Sequence, residues 1–322
     1  MNMLRFDGKV AVVTGGGRSI GRAQCLFLAE RGAAIVVNDL GGDRAGGGQD
    51  PGPAMSVADE IRSSGGRAVV SLDSVETFAG AASIVTTALD AFGRIDILVT
   101  NAAIVSQARI GEVSAESFLK QLNVNAVGTW AMVNAVWPHM VEAGYGRIVC
   151  INSSAMFGMP LVSAYAFTKA AVTGLVRCAS IEGSAHGIKV NALAPAARSR
   201  MSTVQDPGWV EFQEHHQRAE FVSPAVAVLS HESCPSNGAL FSCQGHRMAE
   251  IVMTETAGFS LSADQWTPEA ITSHWDAVVD RTSAREPRSA GDATVFAIEG
   301  MGLDPAQYGI DFTGMGGGTK SS

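Results

Sequence analysis

Short, almost continuous apolar runs alternate along the chain with longer stretches in which apolar residues recur every three or four positions. Runs of the first kind are Lys9 to Thr14 (KVAVVT), Ala33 to Asp39 (AAIVVND), Arg67 to Asp73 (RAVVSLD), Arg94 to Thr100 (RIDILVT), Gly146 to Ile151, Ile188 to Leu193 and Ala239 to Gln244. Without strict alternation they read as strands buried on both faces. Helical periodicity fills the gaps: RAQCLFLAERG, SVADEIRSSGG, 78–92, a long segment opening at Ser114, the segment through AYAFTKAAVTGLV to His186, and Ser223 to Glu232. Strands alternating with helices over some 190 residues predict an α/β, Rossmann-type, doubly wound parallel sheet of about seven strands. Two stretches break the pattern. Leu40 to Pro53 (LGGDRAGGGQDPGP) is glycine-rich and predicts a mobile inserted loop. Ala196 to Phe221 is polar and irregular and predicts a lid over the strand ends. The division expected is a sheet domain over 1–245, with the lid at 196–221, and an extension over 246–322. In the extension one helix (Pro268 to Arg281), a strand-like TVFAI and a disordered GMGGGTKSS tail are expected.

A net charge of −8 and a pI near 5.4 argue against nucleic acid as a partner. Five cysteines without metal spacing, no signal-like start and no membrane-length apolar run predict a reduced protein of the cytoplasm with no membrane span and no metal. Adjacent His215 and His216 read as a solvated face.

The first strand runs into a glycine cluster and then a helix, the opening of a dinucleotide-binding βαβ unit. Gly15 and Gly21 let backbone approach a pyrophosphate at the helix N-terminus. Asp39, closing the second strand, is placed to accept hydrogen bonds from the adenosine ribose, and Asp73 to meet the adenine. Asn123 and Asn125 oppose helix propensity where they stand; Asn125 is the one read as holding a water that carries protons away. Tyr165 and Lys169, four residues apart, share a helix face. A lysine ammonium there favours the phenolate and a strand-end serine holds a substrate oxygen, so the group reads as a proton-transfer device.

These residues resemble the short-chain dehydrogenase/reductase family over roughly Phe6 to Gln244. The family's glycine turn appears as Thr14-Gly15-Gly16-Gly17-Arg18-Ser19-Ile20-Gly21, with Ser19 in place of its second glycine, and its NNAG as Thr100-Asn101-Ala102-Ala103. The resemblance implies a catalytic set of Asn125, a serine, Tyr165 and Lys169. Counting from the strand start puts that serine at Ser153, counting back from Tyr165 at Asn152; Ser153 is taken, with Ser154 in reserve. It also implies NAD, held by Gly15, Gly17, Arg18, Ser19, Ile20, Gly21, Asp39, Asp73, Asn101, Tyr165, Lys169 and Pro195, and a homodimer or homotetramer. A narrower resemblance, through VVNDLGGD, APAARSRM and HESCPSNGALF, is to the dehydrogenase part of peroxisomal multifunctional enzyme type 2 and its bacterial relatives. It implies NAD-dependent oxidation of a bulky secondary alcohol. Trp209, Phe212 and Phe221 in the lid favour a 17β-hydroxysteroid or a steroid-like compound. The alternative is a (3R)-3-hydroxyacyl-CoA, with Arg198, Arg200 and Arg218 toward its phosphates unless Glu211, Glu214 and Glu220 pair with them. A further alternative is a non-catalytic NAD-binding regulator.

Overall fold

The computed structural model describes residues 3–198 and 206–308. Its centre is an eight-stranded sheet built from β1 (Val10–Thr14), β2 (Ala34–Asn38), β3 (Arg67–Ser71), β4 (Ile97–Thr100), β5 (Gly146–Ile151), β6 (Ile188–Ala196), β7 (Leu240–Gln244) and β8 (Arg247–Ile251), in the order β3-β2-β1-β4-β5-β6-β7-β8. From β3 to β7 every pairing is parallel. Helices α1 (Ser19–Glu30), α2 (Gly52–Ser63) and α3 (Phe78–Phe92) connect the first four strands. Val10–Thr14, Ala34–Asn38 and Ile97–Thr100 are buried throughout, as two covered faces require. The chain reverses direction in strand order at β1, so the carboxyl ends of β1 and β4 open the crevice where such sheets bind ligands.

The long helix expected from Ser114 is two helices, α4 (Ala115–Leu122) and α5 (Gly128–Ala143), joined by a π-turn, Asn123–Val127. A π-turn inserts one residue into the helical repeat and is common at functional sites. Helix α6 (Ser163–Ser184) then precedes β6, and α7 (Pro207–His216) and α8 (Ser223–Ser230) precede β7. Part of the lid expected to be irregular is therefore helical: Asp206 caps α7 by accepting from the Trp209 amide, and Pro207 stands at its first turn. Strand β8 is the one not expected, because RMAEI is half polar.

Contacts divide the chain into Met1–Glu250 and Ile251–Ser322. The second unit holds α9 (Pro268–Ser273), α10 (Trp275–Val279) and α11 (Ala290–Gly300). Thr294 to Ile298, TVFAI, expected as a strand, lies inside α11, where Ser289 caps the helix at the Asp292 amide and Ile298 is buried. The helix expected over Pro268 to Arg281 breaks at His274. The glycine-rich tail expected to be disordered lies outside the described residues.

The strand that carries the serines is anchored at its start by Arg147, 6% exposed. Its guanidinium donates to the carbonyls of Gly146 (2.7 Å), Gly187 (2.9 Å), His231 (3.1 Å) and Glu232 (3.1 Å), tying β5 to the entry of β6 and the exit of α8. Buried carbonyls left without donors are costly. Arg147→Met keeps most of the volume and removes all four bonds; urea unfolding is expected to show a loss of about 3 kcal/mol. A change within experimental error would mean that water replaces the guanidinium.

Candidate active site

A cleft of about 550 Å³ lies at the carboxyl edge of the sheet. Every residue expected to be catalytic or to hold NAD lines it except Gly17 and Asn125.

Its floor is the turn after β1. The Thr14 hydroxyl accepts from the Asn101 and Ala102 amides, 3.1 Å each, and the Asn101 side chain donates back to the carbonyls of Thr14 (3.1 Å) and Gly15 (3.0 Å). This lacing pins the turn to the end of β4. A Cβ on Gly21 would collide with the Gly15 carbonyl, and one on Gly15, at φ +63°, would lie 2.9 Å from Ala102 Cα. Only glycine admits this approach. Helix α1 has no side-chain cap, and its first residues, Ser19, Ile20 and Gly21, line the cleft. Ser19 adopts φ +46°, an uncommon conformation for a residue with a side chain, and its hydroxyl is buried without a partner. Free amides, a helix N-terminus and an unsatisfied hydroxyl form a cradle that fits a pyrophosphate.

Asp39 sits beside this cradle. One carboxylate oxygen accepts from the Gly17 amide (2.9 Å) and the other from the Gly41 amide (2.8 Å). Each oxygen keeps a second lone pair for a ribose hydroxyl. Gly17 thus acts behind the cleft, through Asp39. Arg18 donates to the carbonyls of Gly41 and Gly42, 3.2 Å each, and reaches Asp50 at 3.3 Å. Asp73 accepts from the Ser71 hydroxyl (3.0 Å). The glycine-rich loop, expected to lack structure, is closed on itself: Asp43 accepts from the amides of Ala45 and Gly47, 2.8 Å each, and donates from its own amide to the Gly47 carbonyl (2.7 Å). Those backbone donors hold the Asp43 carboxyl below the usual carboxylate range. The glycines supply the positive φ that this ring requires at Gly41, Gly46 and Gly48. The last residues of the expected loop enter α2.

The opposite wall carries the hydroxyls. Ser153 Oγ accepts from the Ala155 amide (3.1 Å), and both Ser153 and Tyr165 line the cleft. Ser154 is exposed. Burial raises the Tyr165 pKa from its ordinary value, and the Ser153 hydroxyl opposes the rise. Lys169 is 1% exposed and donates to the Ile151 carbonyl (2.7 Å), which joins α6 to the end of β5. Burial brings its ammonium down to about 8, against a smaller upward pull from Cys150. Desolvation is the largest influence on the phenol, while the Lys169 ammonium lies 5.8 Å from the Tyr165 ring centroid. Asn125 does not line the cleft. Its Oδ1 accepts from the Ile104 amide (2.8 Å), and its Nδ2 donates to the Ile104 carbonyl (2.9 Å) and Thr168 Oγ1 (3.1 Å). Even its carbonyl accepts from Thr129 Oγ1 (2.7 Å). Fully buried, Asn125 clamps the chain beyond β4 to α6 one residue before Lys169.

The lid differs from expectation too. Trp209 lines the cleft, whereas Phe212 stacks on Trp209 (5.3 Å) and Phe221 lies against His246 (4.2 Å). Arg198 pairs with Glu214, and Arg218 lies 3.7 Å from Glu220. Arg200 lies outside the described residues. The cleft's arginine that sequence reasoning missed is Arg44, hidden in the glycine loop.

The buried ammonium makes a pH prediction. Folded, Lys169 releases its proton near pH 8; unfolded, near 10.5. Between those values the unfolded state binds more protons, so stability rises with pH, and the full cost of the buried charge is present below pH 8. The shift corresponds to about 3 kcal/mol. The stability of the protein minus that of Lys169→Met, from urea unfolding, is expected to increase by that order between pH 7 and pH 10.5. A flat difference would show that the lysine titrates normally.

The profile of the family described as short chain dehydrogenase matches residues 9–206. The chain is 38% identical over 300 residues to peroxisomal multifunctional enzyme type 2 of Mus musculus, covering 92% of this chain and 40% of that protein. It is 34% identical over 213 residues to a hydroxy(phenyl)methylsuccinyl-CoA dehydrogenase subunit of Thauera aromatica, covering 66% of this chain and 80% of that one. Among solved structures, full-length peroxisomal multifunctional enzyme type 2 from Drosophila melanogaster superposes with a TM-score of 0.77 at 28% identity, over 93% of this chain and 50% of that one. Carveol dehydrogenase from Mycobacterium avium in complex with NAD gives 0.67 at 27% identity, over 75% of this chain and 97% of that one. The chain belongs to the short chain dehydrogenase family.

Proposed function

We propose that the chain oxidises the secondary hydroxyl of a 3-hydroxyacyl-CoA thioester. The observation that carries the chemistry is the Ser153–Tyr165 hydroxyl pair facing the cleft, one helical turn from buried Lys169. NAD, when bound, takes up the hydride. Tyr165 accepts the alcohol proton as phenolate, or returns it as phenol in the reverse direction. Ser153 holds the same oxygen. Lys169 keeps a positive charge beside them at neutral pH, fixed by the Ile151 carbonyl, and Asn125 positions α6 through Thr168. Because burial raises the phenol's pKa, the oxidation rate is expected to climb as pH rises, while the neutral phenol serves ketone reduction.

Two observations support the thioester over the steroid. The lid presents one aromatic, Trp209, to the cleft rather than the three that favoured a flat ring system. A relative spanning two thirds of this chain carries in its name both a hydroxyl-bearing carbon and a CoA thioester. The multifunctional relatives are named peroxisomal and are far longer than this chain, so their compartment and whole activity are not carried over. Five free cysteines suit a reducing compartment such as the cytoplasm. Exposed Leu119, Trp130 and Phe167 on α4, α5 and α6 suit the homodimer or homotetramer read from the sequence.

The test is NADH absorbance with a panel of 3-hydroxyacyl-CoA and 17β-hydroxysteroid substrates. Thioester turnover is expected to exceed steroid turnover; the opposite order restores the steroid, and no turnover of any alcohol points to the regulator. Tyr165→Phe is expected to lower kcat roughly 100-fold or more with NADH binding kept, and Ser153→Ala to be far worse than Ser154→Ala. Retained activity in Tyr165→Phe overturns the mechanism. NAD is expected to be preferred to NADP by at least about tenfold in kcat/KM. At about 5 Å and an effective dielectric near 20, Asp39 against a 2′-phosphate costs roughly 3 kcal/mol per unit charge, and Arg18 is already held by Gly41, Gly42 and Asp50. Equal kcat/KM for the two cofactors would show that Asp39 does not face the ribose.

A further inference from the structure

The loop between β2 and α2 runs across the cleft. It leaves β2 at Asp39, and the Val105 amide, beyond the end of β4, donates to the Arg44 carbonyl (3.1 Å). At Gly46 an added Cβ would touch Ile104 and Lys120. In the sheet, β1 lies between β2 and β4. A segment that starts at β2 and is bonded beyond β4 therefore passes over the carboxyl end of β1, where the glycine turn and the amides of α1 stand. Arg44 is at its crest and lines the cleft.

The buried side-chain atoms without a partner that belong to cleft residues are Ser19 Oγ and Arg44 Nε, among the described residues. One stands on the floor of the cradle, the other on the strap above it. A guanidinium offers five N–H donors and no acceptor, so what it lacks is an acceptor, and its charge selects an anion. Among the described residues no carboxylate pairs with it, although Asp43 is its chain neighbour: Asp43 is turned to the amides of Ala45 and Gly47. The strap is held without any help from the Arg44 side chain, by Asp43, by Arg18 on Gly41 and Gly42, and by the Val105 amide.

We propose that Arg44 is the second, upper wall of the pyrophosphate site: the dinucleotide's phosphates lie between the α1 amides with Ser19 below and the Arg44 guanidinium above. The inference rests on the NAD site described above and is independent of which alcohol is oxidised. It gives the strap a function, to bring a fixed positive charge over an anion that would otherwise be held by neutral donors.

The full chain is titrated with NADH, followed by energy transfer from tryptophan, for the parent, Arg44→Gln and Arg44→Lys. Arg44→Gln is expected to weaken NADH about tenfold at low salt, the scale of one lost charge-assisted contact, and Arg44→Lys to recover part of that. Raising salt from about 50 mM to about 300 mM is expected to weaken the parent more than Arg44→Gln, since the screened charge is absent from the variant. The thermal midpoint without ligand is expected to be the same in all three, because the guanidinium has no partner in the free protein. Free coenzyme A, by calorimetry, is the second arm. NADH affinity within twofold of the parent overturns the proposal, and so does a loss confined to coenzyme A, which would give Arg44 to the substrate's phosphates. None of these readouts depends on turnover, so a wrong substrate leaves the result intact.

Discussion

The site depends on one bond between a buried ammonium and a backbone carbonyl, Lys169 to Ile151. A charge taken out of water must be met by an acceptor or be lost. The carbonyl that meets it belongs to the last residue of β5, immediately before the residues that carry the cleft's hydroxyl. The ammonium belongs to the helix that carries the phenol. Register between Ser153 and Tyr165 is therefore set by an electrostatic requirement and not by packing alone. Thr168 and Asn125 extend the tie to the chain beyond β4, and Asn101 continues it to the glycine turn. Floor and catalytic wall are thus parts of one network of bonds across β1, β4 and β5.

The strands of this network were legible because parallel strands covered on both faces are written in unbroken apolar residues. The turn after β1 and the Tyr165–Lys169 spacing were legible because few other residues serve those geometries. Ser153 was not fixed by the sequence, because a count from either end gave different residues; in the structure it is the Ser153 hydroxyl that opposes the rise of the Tyr165 pKa. Asn125 was located by its poor helix propensity, yet propensity says nothing of direction, and its side chain points away from the cleft. Asn125 stands in the π-turn, where its side chain bonds Ile104 and Thr168.

What was not legible lay where composition hides placement. Leu40 to Pro53 has the content of a flexible linker, but its glycines supply left-handed residues to a ring closed by Asp43, and its one lasting signal, Arg44, is a single letter among them. In the lid, the reverse occurred. Arginines and aromatics with suggestive chemistry turned out to satisfy one another, Arg198 with Glu214 and Phe212 with Trp209. TVFAI, apolar and β-branched, became helix because a serine cap and an adjacent aspartate start one there.

Arg18 has a consequence for how this protein can change over generations. Its cation serves as the latch of the strap, shared between two carbonyls and Asp50. Asp39 is the acid that closes the second strand. Here that acid also holds the Gly17 and Gly41 amides, and the nearest positive charge is already employed. A single inherited substitution at Asp39 would thus open the strap before it welcomed a new phosphate. Cofactor choice in this chain is guarded by interdependence, and any lineage that left NAD would have to rebuild the loop and the turn together.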